Sequence, residues 1–211
     1  MKDTIIFDLD GTLINTLPDL ANALNYTLVS LGRDAIPYET VQSLVGRGFE
    51  RLIIAAFGEV KELEKATWLF KTYYAHSNHV KSKPYNGICE LLQELKRKNY
   101  KIGVCTNKGH RDAVVILNHF FPNTFDYILG ETPKIKMKPE PDMLLHVIDK
   151  VGGKPENAVF LGDSRVDYHT SLAANVMDVS VTWGFELKEV IAQDGATRFI
   201  DHPHDLWKLI K

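Results

Sequence analysis

The chain has 211 residues, with 45% hydrophobic and 25% charged side chains and a formal charge of −2. That length suits one large domain, or a core with a smaller insert, able to bury a sizeable interior. The balance excludes a global charge excess of the kind that binds nucleic acid or acidic membranes. No run approaches the roughly 18 apolar residues of a membrane span. The N-terminal MKDTIIFDLD is interrupted by Asp8 too early for a signal peptide, so the expected compartment is the cytoplasm. Cys89 and Cys105 lack a metal-ligand spacing and read as buried or half-buried free thiols.

Residues 4–9 (TIIFDL) form a short β-branched and aromatic run, the pattern of a buried strand, and Gly11 permits a sharp turn after it. Leu17, Leu20, Ala21, Leu24, Leu28 and Leu31 then recur at helical spacing, with Thr16 as the expected N-cap, Pro18 in the first turn and Gly32 as the stop. Further helices are expected over residues 38–45, 49–57 and 60–79. No strand pattern is visible in this stretch, which reads as a compact helical subdomain over residues 15–82. Trp68, Phe70, Tyr73, Tyr74, His76 and His79 read there as packing or surface residues.

Strands and helices alternate afterwards. Strands are expected at 101–105, 127–129, 158–161 and 178–182 and near Phe199, and helices at 87–98, 110–120, 142–151, 166–174 and 186–192. This alternation predicts an α/β fold: a Rossmann-like three-layer core with a parallel sheet, formed by residues 1–14 and 83–211, plus the helical cap. Sites in such folds lie beyond the carboxyl ends of the strands.

Those ends carry the chemistry. Alternation puts Asp8 and Asp10 on one side of the first strand end. Two close carboxylates repel each other, and a hard divalent cation such as magnesium is the simplest compensation. The strand at 101–105 runs into Thr106-Asn107-Lys108-Gly109, whose hydroxyl, amide and backbone N–H groups could cradle a phosphate. Lys138 lies just before a helix start and could reach the same pocket. The strand at 158–161 runs into Gly162-Asp163-Ser164, with Asp167 four residues after Asp163. Taken singly, each element has an ordinary explanation: a cap, a turn, a solvated lysine. Their occurrence in order, each after an expected strand, does not.

FDLDGTL (Phe7 to Leu13), VCTN (Val104 to Asn107), Lys138 in KPEPDM and GDSRVD (Gly162 to Asp167) resemble the four motifs of the haloacid dehalogenase-like superfamily. TNK at Thr106, KPEPD from Lys138 and VTWGF from Val181 are similar to its phosphoglycolate phosphatase-like branch. The resemblance implies a magnesium-dependent phosphatase acting on small phosphate monoesters. Asp8 would be the nucleophile and Asp10 the general acid and base. Asp8, Asp163 and the Asp10 carbonyl would hold Mg2+, with Asp167 ordering that site. Thr106, Asn107 and Lys138 would hold the phosphate. Arg47 lies in a Gly-Arg-Gly break between cap helices, where the family carries a loop that faces the active site; it reads either as a contact to a second anionic group of the substrate or as an exposed arginine in a turn. Lys108 and His110 are rim candidates.

The chain departs from relatives at Asn15-Thr16, where Asp-Ser is common, a position expected to lie outside the chemistry, and at Asn175-Val176-Met177. A dehalogenase has no use for Asp10. A β-phosphoglucomutase-like mutase, a pyrophosphatase or a nucleotidase fits the same motifs. A receiver domain would be shorter and lack the cap, and a silent binding protein would not need every chemical group. Expected partners are a small phosphorylated metabolite, no nucleic acid and no membrane, with the chain a monomer or weak homodimer.

Overall fold

The computed structural model describes residues 2–46, 48–58, 63–77 and 79–210. The main sheet has six strands in the order β5-β4-β1-β6-β7-β8, with every neighbouring pair parallel. They are β1 (Thr4–Phe7), β4 (Lys101–Gly109), β5 (Tyr127–Glu131), β6 (Ala158–Gly162), β7 (Met177–Val181) and β8 (Phe199–Ile200). Strand β1 is fully buried between β4 and β6, so its carboxyl end opens at the middle of the sheet edge.

Side-chain alternation along β1 divides the interior in two. Ile5 and Phe7 face α5 (Ile88–Arg97) and α6 (His110–Phe120), whereas Ile6 faces α7 (Asp142–Lys150) and the end of α8 (Arg165–Ala173). A further helix, α9 (Lys188–Gln193), packs against α8 through Ile191 and Tyr168. Helices on both faces of a parallel sheet form the expected three layers.

Between the first and second long strands come α1 (Leu17–Ser30), α2 (Tyr38–Leu44), α3 (Phe49–Phe57) and α4 (Leu63–His76). Their apolar stripes meet in a separate cluster that includes Leu24, Leu28, Ile53, Ala66 and Phe70. Trp68, expected as packing, is instead 63% exposed on α4, and Cys89 is exposed as well.

The reading of residues 15–82 as strand-free needs one correction. A two-residue ladder, β2 (Ile14–Asn15) against β3 (Lys83–Pro84), ties the two ends of the helical insert together. A two-residue strand carries no periodicity to read. Beside it, the buried Asp19 carboxylate accepts from the Ser82 N–H at 2.7 Å, the Ser82 hydroxyl at 2.6 Å and the Lys81 N–H at 3.2 Å. Asp19→Ala leaves those donors without an acceptor and is expected to cost about 2–4 kcal/mol, read as a lower urea midpoint.

Candidate active site

The chain leaves the sheet at Asp8, whose N–H still donates to the Leu161 carbonyl at 2.8 Å. Gly11, at φ +86°, then turns it back so that the Gly11 N–H meets the Ile14 carbonyl. Asp8 and Asp10 line the same compartment, as the alternation predicted. A Cβ at Gly11 would stand 2.1 Å from Asp163 Oδ2, and one at Gly184 2.1 Å from Asp163 Cβ. Both glycines are therefore required by the close approach of Asp163.

Asp8, Asp163 and Asp167 each offer a carboxylate oxygen, and these lie within 4.8 Å of one another. Asp163 is held by the Thr12 hydroxyl at 3.0 Å and the Phe185 N–H at 2.7 Å. The Trp183 indole N–H donates to the Thr12 carbonyl at 3.0 Å and braces that loop. Asp163 does not cap α8; Ser164 does, in a capping box with Asp167. Asp167 accepts from the Ser164 hydroxyl at 2.5 Å and, on its other oxygen, from Lys138 Nζ at 2.5 Å.

Lys138 is buried between two of these carboxylates, with Nζ also 2.9 Å from Asp8 Oδ1. Burial opposes its charge, but Asp167 and Asp8 outweigh that and hold its pKa above the ordinary lysine range. Burial pushes the Asp8 carboxyl up to about 7; Lys138 opposes the rise, and Asp167 and Asp10 add to it. Burial and the same neighbours, Asp167 and Asp8, raise Asp163 well above the usual carboxylate range. Three crowded, buried acids facing one buried lysine make a donor set that a hard divalent cation fits.

This crowding has a consequence for stability. Folded Asp8 keeps its proton to about pH 7, whereas the ordinary value is 3.8. The folded state therefore binds more protons than the unfolded state between those values. Through Asp8, metal-free protein is expected to lose stability as pH rises from about 4 to about 7, and the raised Asp163 adds to the loss in the same direction. Thermal melts in chelator across that range check this, and Asp8→Asn should flatten the slope.

The phosphate candidates converge on the same compartment. Thr106 and Lys138 line it. Asn107 lines it too, but its side chain is already occupied: the amide donates to the Lys138 carbonyl and the amide oxygen accepts from the Lys138 N–H, both at 3.0 Å. It thus fixes the Lys138 loop. Arg47 lies outside the described residues.

Two expectations change. Thr16 makes no side-chain cap; its hydroxyl donates to Asp10 Oδ1 at 2.6 Å, so this position lies against a candidate site residue rather than outside the site. Lys108 is not on the rim. Strand β4 runs on through Thr106–Lys108 to Gly109, with a shift in its register against β5 between Cys105 and Gly109. Lys108 is buried, with Nζ 3.1 and 3.2 Å from the two Asp10 oxygens and 4.7 Å from the centroid of the Tyr74 ring. Continuing the period-2 pattern past Cys105 would have placed Thr106 and Lys108 on one face. His110 is exposed as expected.

The helical insert lies over this edge. Gln42 Nε2 donates to the Phe185 carbonyl at 2.8 Å, and Gly48 lies against the Asn107 carbonyl. Two spaces open onto Asp8 and Asp10. One is a compartment of about 50 Å3 between cap and core; the other is a cleft of about 590 Å3 on the Asp163 side.

A buried carboxylate beside a lysine, a second carboxylate in the same compartment and an acidic cluster that a divalent cation fits suit phosphoryl transfer. Residues 5–181 match the family of haloacid dehalogenase-like hydrolases. The chain is 35% identical to phosphoglycolate phosphatase 1 of Pseudomonas aeruginosa, covering 96% of this chain and 77% of that one. It is 32% identical to the phosphoglycolate phosphatase of Psychrobacter arcticus, covering 95% and 92%. A solved structure from Haemophilus somnus, of a protein predicted to be a phosphoglycolate phosphatase, superposes with a TM-score of 0.93 at 29% identity, over 100% of this chain and 98% of that one. The chain belongs to the haloacid dehalogenase-like hydrolase family, and within it to the phosphatases. No helix among the described residues is long and apolar enough to cross a membrane.

Proposed function

We propose that this phosphatase hydrolyses small phosphate monoesters, phosphoglycolate foremost, through an aspartyl-phosphate on Asp8. The observation that carries the reading is the placement of Asp8 against Lys138, with Asp10 in the same compartment. Asp8 and Asp163, with the Asp10 carbonyl, would hold Mg2+, and Asp167 would order them. Bound there, magnesium would neutralise charge on the phosphoryl group.

Lys138, the Thr106 hydroxyl and backbone N–H groups at Asn107 would hold the phosphate oxygens. The Asp8 carboxylate then attacks phosphorus as the ester P–O bond breaks, through a loose transition state. Asp10 gives a proton to the leaving oxygen. In the second step it takes a proton from the water that attacks phosphorus and frees Asp8. Thr16 and Lys108 both donate to Asp10 and fix its orientation in the compartment.

In this reading residues 15–82 act as the cap on a core of residues 1–14 and 83–211. Arg47 in the cap would contact the substrate. The enzyme would work in the cytoplasm as a monomer or weak homodimer, without nucleic-acid or membrane partners.

The test is phosphate release from phosphoglycolate, pyrophosphate, nucleoside monophosphates and sugar phosphates, with and without Mg2+. Magnesium-dependent turnover of a small monoester is expected. Metal-independent release, or none from the whole panel, would overturn the reading. At about a hundredfold excess over its Kd, Mg2+ should also raise Tm by about 5–10 °C.

A further inference from the structure

The compartment of about 50 Å3 is built like a leaving-group subsite. At its floor stand Asp8, Asp10, Thr106 and Lys138, where the phosphoryl group would sit. The rest of its lining sets apolar Leu20 and Phe70 beside Tyr74, Lys108, Lys71 and Asp112. One water-sized group needs about 10–15 Å3 of such space, so roughly four fit. That is close to the size of a two-carbon acid's leaving group, whereas a sugar or nucleoside would need the larger cleft on the Asp163 side.

Two donors converge there. The Lys108 ammonium has three N–H groups, and Asp10 takes up only part of them. The Tyr74 hydroxyl is buried beside Lys108, whose ammonium can only donate to it, so its O–H has no acceptor among the described residues. A buried O–H without an acceptor is destabilising, and its position on the compartment wall gives it a natural acceptor in a ligand. Lys71 adds a third cation to the lining, beside Lys108 and Lys138, while Asp112 is its one carboxylate besides Asp8 and Asp10 among the described residues.

We propose that Lys108 from the core and Tyr74 from the cap form a carboxylate subsite, which selects phosphate esters with a short, acidic leaving group. A carboxylate offers two acceptor oxygens, one for the ammonium and one for the hydroxyl. A neutral group of the same length leaves that O–H without an acceptor and gains nothing from the cation. Because the donors come from opposite sides, only the acidic substrate bridges core and cap. The proposal rests on the phosphatase reading above and names its substrate class.

The test compares phosphoglycolate with ethyl phosphate, which has the same carbon count and no carboxylate, on the magnesium-loaded full chain. Wild type should favour phosphoglycolate. Tyr74→Phe and Lys108→Met should each reduce the ratio of the two kcat/KM values by about 10- to 100-fold, the worth of a charge-assisted hydrogen bond. For Tyr74→Phe the change should lie mainly in KM for phosphoglycolate. Lys108→Met should also slow both esters through its contact with Asp10, which is why the ratio is read. Lys108→Arg should restore part of the preference. A ratio unchanged in Tyr74→Phe overturns the subsite even if Lys108→Met fails to fold, and so does a wild type that prefers ethyl phosphate. Wild-type protein inactive on both esters instead overturns the underlying phosphatase reading.

Discussion

Replacing Asp8 by Asn should abolish turnover, by on the order of 10^4- to 10^6-fold, while leaving the fold intact. The substitution keeps the shape of the side chain and its place between Lys138 and the acidic cluster. It removes the attacking oxygen's charge, and an amide forms no stable phosphoryl intermediate. Stability should move the other way. Wild-type Asp8 is buried and repelled by Asp167 and Asp10, so neutralising it relieves the metal-free protein at neutral pH. An inactive variant with an equal or higher melting temperature in chelator is the expected pair of results. Phosphate release surviving in Asp8→Asn would mean that another group attacks, and the roles given to Asp8 and Lys138 would fall together.

The backbone chemistry of this site was legible wherever a strand ended in an unusual residue. Asp8, Asp10, Thr106, Lys138 and Asp163 all stand near strand ends or in the loops between them, and the alternation of strands and helices puts those ends on one edge. What was not legible depends on contacts between distant segments. Thr16 reads as a helix cap because its sequence neighbours are helical, and only the return of the chain at Gly11 brings its hydroxyl to Asp10. Gly184 looks like a loop glycine until Asp163 packs against it. Tyr74 carries the helical spacing of a core residue, and it is one: its ring packs in the cap interior, while its hydroxyl edge reaches the compartment. Periodicity reports which face is buried, not what the far end of a long side chain meets. Lys108 is hidden for a different reason. The apolar run of the strand stops at Cys105, and four more residues of extended chain convert an expected rim lysine into a buried partner of Asp10.

Lys138→Met should separate stability from activity. Lys138 is the buried cation between Asp8 and Asp167, and its removal leaves three carboxylates within 4.8 Å of one another without it. Breaking a buried ion pair from one side costs about 3–5 kcal/mol, because the remaining charge stays desolvated. The loss should be largest above pH 7, where Asp8 is ionised, and smaller near pH 5, where it carries its proton. Turnover should fall by about 10^3-fold, the usual effect of deleting one charged contact to a reacting group. Adding Asp167→Asn to this variant removes one of the stranded charges. The double variant should therefore recover stability in urea titrations, yet its turnover should stay low, since nothing then replaces the ammonium at the phosphate oxygens. Recovery of both would reduce Lys138 to a structural counter-ion. Recovery of stability alone would mean that the same ammonium neutralises Asp167 in the resting protein and the phosphoryl group during reaction, with Asn107 holding the loop that presents it.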